Sequence, residues 1–167
     1  TAVRLTEGVR RALQPDEIRL KVTACGICGS DLQVDPAQAE ERPFGHEVAG
    51  TVLEAGAAVR APAVGQKVVL ESATPCGQCA NCRNARQELC RHLQSFFRTQ
   101  SFGLAEEMIT PAITAIPCDD LPPDIACLSE PLGVAIDLVR LADLALDSNV
   151  LVMGPGAFAH RLVEDDG

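Results

Sequence analysis

Residues 75–90 read PCGQCANCRNARQELC, with cysteines at 76, 79, 82 and 90. Two cysteines separated by two residues put both sulfurs on the same side of a tight knuckle. The third repeats that step, and the fourth returns after a seven-residue loop. Thiolates at this spacing converge on one point, and the ion that suits four of them is a tetrahedral Zn²⁺ with no open position. Such a closed site is structural. An iron–sulfur cluster takes the same ligands, and a disulfide cluster is the remaining alternative. Disulfides belong to oxidising compartments, and nothing at the N-terminus resembles a signal peptide. The eight cysteines therefore read as thiols held by metal in a reducing cytoplasm.

The chain of 167 residues fits one ordinary domain with a fragment of another. Its apolar content of 47% suffices for a core. Aromatic residues make up 3%, with no Trp and no Tyr, which argues against nucleic-acid binding on stacking platforms. A net charge of −9 argues equally against phosphate backbones and anionic membranes. No apolar run approaches the roughly 18–20 residues of a membrane span.

Around the cysteines the sequence reads as short strands between turns. Glu17–Ala24 (EIRLKVTA) alternates apolar and polar residues, Val48–Ala55 (VAGTVLEA) repeats the pattern, and Gly65–Leu70 (GQKVVL) is a third run. Frequent Gly and Pro favour a small barrel or sandwich. Asp35–Glu41 reads as an exposed loop or one helical turn, and Leu104–Ile116 as a strand broken at Pro111. The texture changes near Ser129. From Pro131 to Ala145, Leu132, Ile136, Val139 and Leu144 recur near one face at helical spacing, with Ser129 as the expected N-cap. Asn149–Met153 (NVLVM) has the pattern of a buried parallel strand, and Gly154-Pro155-Gly156 follows it directly. A strand running into Gly-x-Gly is how a dinucleotide fold begins, although Ala159 stands at the third glycine position and a plain turn is the simpler reading.

A second set of metal-ligand types lies in CGICGSD (25–31) and FGHEVAG (44–50): Cys28, then His46 and Glu47. One thiolate, one imidazole and one carboxylate suit a catalytic zinc that keeps a position open. Adjacent residues cannot both face inward along a regular strand, but a turn after Gly45 allows it. Glu130, in LSEPLG, is a further carboxylate for the third position. Singly, a buried Cys is core and a lone His is satisfied by hydrogen bonds. Their joint presence with the closed cysteine site carries the weight.

CGICGSD, GHEVAG, the four-cysteine knuckle, SEPLGVAI (129–136) and NVLVMGPG (149–156) occur in the order seen in zinc-dependent medium-chain dehydrogenases. The chain thus resembles that family, to which alcohol, sorbitol and threonine dehydrogenases belong, over Thr1 to Gly156. The match is nearest the polyol branch, because Glu130 stands where alcohol dehydrogenases use a cysteine; a further likeness is to aminocyclitol dehydrogenases. The resemblance implies a mainly β fold: a GroES-like distorted β-barrel with a zinc lobe and few helices over 1–130. A connecting helix and the first Rossmann strand would follow over 131–156, and a tail over 157–167.

It also implies one catalytic and one structural zinc, and NAD or NADP in a complete enzyme. Cys28 and His46 become catalytic zinc ligands, with Glu47 or Glu130 as the third, while Cys76, Cys79, Cys82 and Cys90 hold the structural ion. Asp31 would hydrogen-bond the far nitrogen of His46, and Ser30 would relay the alcohol proton, with Gln33 where many relatives carry a histidine. Gly154 and Gly156 would meet the cofactor. The implied reaction oxidises a secondary alcohol or sugar-like polyol by hydride transfer to NAD(P).

Complete members often assemble through the nucleotide-binding domain, which makes a homo-oligomer a possible assembly. Two segments look short against the family pattern: LTEGVRRALQPDE (5–17), which lacks part of the first hairpin, and the loop from Leu32 to Pro43. Most of the nucleotide-binding domain is missing, so the tail AFAHRLVEDDG reads as a junction across it, and this fragment alone is expected to be inactive. His92 and His160 are expected at the surface, Cys25, Cys118 and Cys127 in the core, and Phe96-Phe97 as packing for the zinc lobe. A non-enzymatic zinc-stabilised binding module, and a zinc-independent reductase, are the competing readings.

Overall fold

The computed structural model describes residues 3–33, 43–145 and 148–153. Five strands form one antiparallel sheet: β1 (Glu17–Gly26), β2 (Glu47–Ala55), β3 (Lys67–Leu70), β4 (Glu107–Pro111) and β5 (Ala115–Pro117). Their order is β4-β1-β2-β3-β5. The three early strands lie within about three residues of where the alternation predicts them. The run 104–116 divides between β4 and β5, with a 3₁₀ turn at Ala112–Thr114 directly after Pro111. Proline ends the ladder there because it has no N–H to donate.

Alternation on β1 sends Ile18 and Leu20 into the main core beside Val48, Val52, Val68, Leu70, Phe96 and Met108. Each of these fully buried side chains contributes roughly 1.5–3 kcal/mol. The opposite phase of β1 carries Glu17 and Arg19, both buried. They are tolerated because they are paired: Arg11 grips Glu17 with two bonds of 2.6 and 2.8 Å, and Arg19 donates to the Arg11 carbonyl at 2.6 Å. Arg10 adds ion pairs to Glu54 and Glu107. This cationic strap ties residues 10–19 across β1, β2 and β4.

Six short or medium elements decorate the sheet. They are α1 (Gly29–Leu32), α2 (Ala80–Arg83), a 3₁₀ turn at Gln87–Leu89, α3 (Phe96–Thr99), α4 (Pro123–Ala126) and α5 (Ser129–Ala142). Two expectations, for Ser129 and for Phe96, need correction. Ser129 is the first helical residue of α5 and not its N-cap, which is Leu128; its hydroxyl instead donates to the Ala126 carbonyl at 2.8 Å, locking α4 to α5. The face of Leu132, Ile136, Val139 and Leu144 does not pack on the core: all four are exposed, and the buried residues of α5 are Pro131 and Ala135. Phe96 packs in the sheet core and not in the zinc lobe, stacked on Phe97 and edge-on to Phe102.

Asn149–Met153, read as a buried strand, pairs with no described strand, and Val150 to Met153 are exposed. A parallel strand forms only between neighbours that satisfy its backbone, and the described sheet offers none there. The domain boundary read at 130/131 falls inside α5. Gly154, Gly156, His160, the tail 157–167 and the whole of the Asp35–Glu41 loop lie outside the described residues.

Candidate metal centres and active site

The four lobe cysteines converge. Sγ–Sγ separations are 3.5 Å for Cys79–Cys82, 3.6 Å for Cys76–Cys90, and 4.0 Å for both Cys76–Cys82 and Cys79–Cys90. Four thiolates about 2.3 Å from one tetrahedral ion stand about 3.8 Å apart, so the sulfur cage fits zinc in size and chemistry. All eight cysteines are free thiols, which sets aside the disulfide alternative. The knuckle amides favour thiolates. Backbone N–H groups of Cys82 and Arg91 lower the Cys79 thiol to about 6, and those of Gln78 and Cys79 lower Cys76. Burial pushes Cys82 up to about 12, a cost that a cation in the cage offsets. The amides of Cys76 and His92 also donate to the Cys90 sulfur at 3.4 Å.

A second set forms where β1 meets β2. Donor atoms of Cys28, His46 and Glu47 lie within 4.8 Å of one another. Cys28 follows β1 by two residues and caps α1. His46 precedes β2 and Glu47 begins it, so only one of the pair obeys strand alternation. Gly45 makes the turn possible: its φ is +95°, and a Cβ there would sit 2.8 Å from the Cys25 sulfur. Gly103 donates to the Gly45 carbonyl at 2.8 Å and pins that turn to the next segment. Gly26 faces Glu47 across the ladder, and a Cβ on it would overlap the Glu47 carboxylate. The acid can thus reach the site only because residue 26 has no side chain.

Asp31 joins the two ends of the site. One carboxylate oxygen lies 3.3 Å from Nδ1 of His46, and the other accepts from the Cys28 amide at 3.0 Å. This leaves Nε2 as the free donor of the imidazole. Burial, foremost, and the neighbouring Glu130 raise the Glu47 carboxyl above its usual range. Glu130, in the first turn of α5, is therefore in electrostatic reach of Glu47 yet outside the three-donor set. Ser30 and Gln33 are exposed, on and just after α1.

Cys118 and Cys127 join the second apolar cluster of the sheet, and Cys25 packs against the first, its thiol pushed up to about 12 by burial. His92 is exposed. The sequence reading did not single out Gly26 or Gly103; their signal was a glycine next to each putting-together of ligand segments, at 26, 45 and 103.

The match to known proteins decides the family: residues 14–120 match the alcohol dehydrogenase GroES-like domain. The chain belongs to the alcohol dehydrogenase GroES-like family. It is 34% identical over 154 residues to sorbitol dehydrogenase of Arabidopsis thaliana, covering 85% of this chain and 42% of that protein. A solved zinc-binding dehydrogenase of Clostridium scindens superposes with a TM-score of 0.82 at 29% identity, over 95% of this chain and 48% of that one. An alcohol dehydrogenase of Escherichia coli, solved with NADH, gives 0.77 at 27% identity, over 93% and 47%. The chain therefore spans less than half the length of these relatives.

Proposed function

We propose that this chain is the metal-binding part of a zinc-dependent alcohol or polyol dehydrogenase that passes hydride from a secondary alcohol to NAD or NADP. The convergence of Cys28, His46 and Glu47, with Asp31 on the far side of the imidazole, carries this reading. When bound, zinc supplies a Lewis acid for the alcohol oxygen and the nicotinamide supplies the hydride acceptor.

The residues do the rest. Cys28 and Glu47, as anions, balance the charge of a divalent cation, while the raised Glu47 carboxyl shows how unfavourable that pocket is for an uncompensated anion. Glu130 is a second carboxylate able to exchange for Glu47. Asp31 fixes the His46 ring and its tautomer. Ser30 offers an exposed hydroxyl to carry the alcohol proton outward, toward Gln33. The lobe cysteines take no part in the chemistry and hold the 75–90 loop, with a folding contribution on the order of 10–16 kcal/mol by analogy with zinc-finger peptides. No helix of the described residues is long and apolar enough to cross a membrane, and the free thiols suit a reducing, cytoplasmic setting.

Metal counting combined with NAD(H) titration tests the reading. Two zinc ions per chain are expected, falling to one in Cys28→Ser with the fold intact. A wild-type count of one would identify a zinc-stabilised binding module instead. The 167 residues alone should bind NAD(H) weakly and turn over little alcohol.

A further inference from the structure

The segment between α3 and β4 supplies no metal donor, yet it fastens both strands that do. The Gly103 and Leu104 amides donate to the carbonyls of Gly45 and Phe44, at 2.8 and 3.2 Å respectively. Those are the two residues directly ahead of His46. Further along, the Glu106 carbonyl accepts from Val22 of β1 at 3.0 Å. Cys25 fills the space between these attachments. A Cβ on Gly45, or one on Gly103, would stand 2.8 Å from its sulfur, so two backbones rest against one atom. The thiol donates to the Gly26 carbonyl at 3.4 Å, and Gly26 is the residue over which Glu47 reaches the site. Cys25 itself is outside the three-donor set.

We infer that Gly103 and Cys25 are positioning residues for the metal site: together they brace the Gly45 turn and so set where His46 presents its imidazole. The inference rests on the proposed zinc site of Cys28, His46 and Glu47. Gly45, at a φ of +95°, is the conformationally free link next to a ligand, and a metal tolerates about 0.2 Å in a ligand distance. Asp31 holds the His46 ring from one side; the 103–104 amides hold its backbone from the other. Gly103 is not in the left-handed region, so glycine serves close approach there and not backbone freedom. A Cβ on it would press on the Cys25 sulfur and overlap Cγ2 of Val48.

Cobalt(II) exchanged into this site tests the brace, since its visible bands report ligand geometry, with the four-cysteine cage of the same molecule as reference. Gly103→Ala should shift those bands and weaken zinc here about 10–100-fold, leaving the cage unchanged. Cys25→Ala removes the spacer without adding bulk and should act in the same direction, about 10-fold. Should Gly103→Ala not fold, Cys25→Ala decides alone. Cys25→Ser keeps an atom at the γ position and should recover most of the lost affinity. The inference is overturned if either folded alanine variant melts at a lower temperature yet keeps its bands and affinity, as packing alone would have it. It is also overturned if both metal sites weaken equally, or if Cys25→Ser loses as much zinc as Cys28→Ser, which would make residue 25 a ligand. A wild-type chain that takes up one metal ion and not two would refute the zinc site itself, and the brace with it.

Discussion

Replacing Gly26 by Ala offers a direct test of the metal assignment, because it displaces the Glu47 carboxylate without replacing any donor residue. A Cβ at residue 26 lies 3.0 Å from both Cβ and Cδ of Glu47 and overlaps its Oε2. Carbon atoms in comfortable contact stand about 3.5–4.0 Å apart, so the carboxylate must retreat by on the order of 1 Å. Metal sites tolerate about 0.2 Å in a ligand distance. Gly26 is not in the left-handed region, so alanine fits the strand and the fold survives. The zinc held by Cys28, His46 and Glu47 should weaken at least as much as when an outer-shell partner is lost, about 10–100-fold. Competition with a chromophoric chelator reads this, with the four-cysteine site in the same molecule as an unaffected control. Unchanged affinity at both sites would refute the placement of Glu47 at the metal.

Asp31→Asn should also cost the Cys28–His46–Glu47 site about 10–100-fold in zinc affinity, because one amide cannot accept from both the Cys28 amide and His46; equilibrium dialysis checks it. Phe96→Ala should lose about 3–5 kcal/mol in urea denaturation, whereas Phe97→Ala, half exposed, should lose less than about 1.5 kcal/mol. The Arg11 hydrogen bonds hold the Glu17 carboxyl below its usual range, so its folded pKa lies beneath the unfolded one. That stabilisation is present above about pH 4.3 and is lost as pH falls through the folded value. Glu17→Gln should lower stability at neutral pH by about 1–2 kcal/mol and flatten the loss between about pH 5 and pH 3, measured by thermal melts.

The strands were legible from period-two alternation of apolar residues, which sends Ile18 and Leu20 inward; the burial of Glu17 and Arg19 beside them was not, because it rests on ion pairs made with residues 11, 54 and 107. The cysteine cage was legible because its ligands sit close in sequence. The second site was harder, since Cys28 and His46 meet only through the β1–β2 pairing. The proximity of Glu47 to Cys28 and His46 was beyond sequence reading, because it depends on an empty space over Gly26 and not on the acid itself. Which surface the apolar face of α5 meets was not readable either. Helical periodicity states that a face is apolar, but not which surface will cover it.

Thr74 and Gln94 exchange two backbone hydrogen bonds of 2.8 and 2.9 Å, and Ser95 fastens to the Ser72 carbonyl beside them. The stretch that carries all four cage thiols therefore leaves and re-enters the body of the molecule through one doorway. A two-residue turn could bridge that doorway, so the whole insertion is a cassette. Descendants could discard it, or exchange it for another, in a single deletion that leaves every strand register and the Cys28–His46 chemistry untouched.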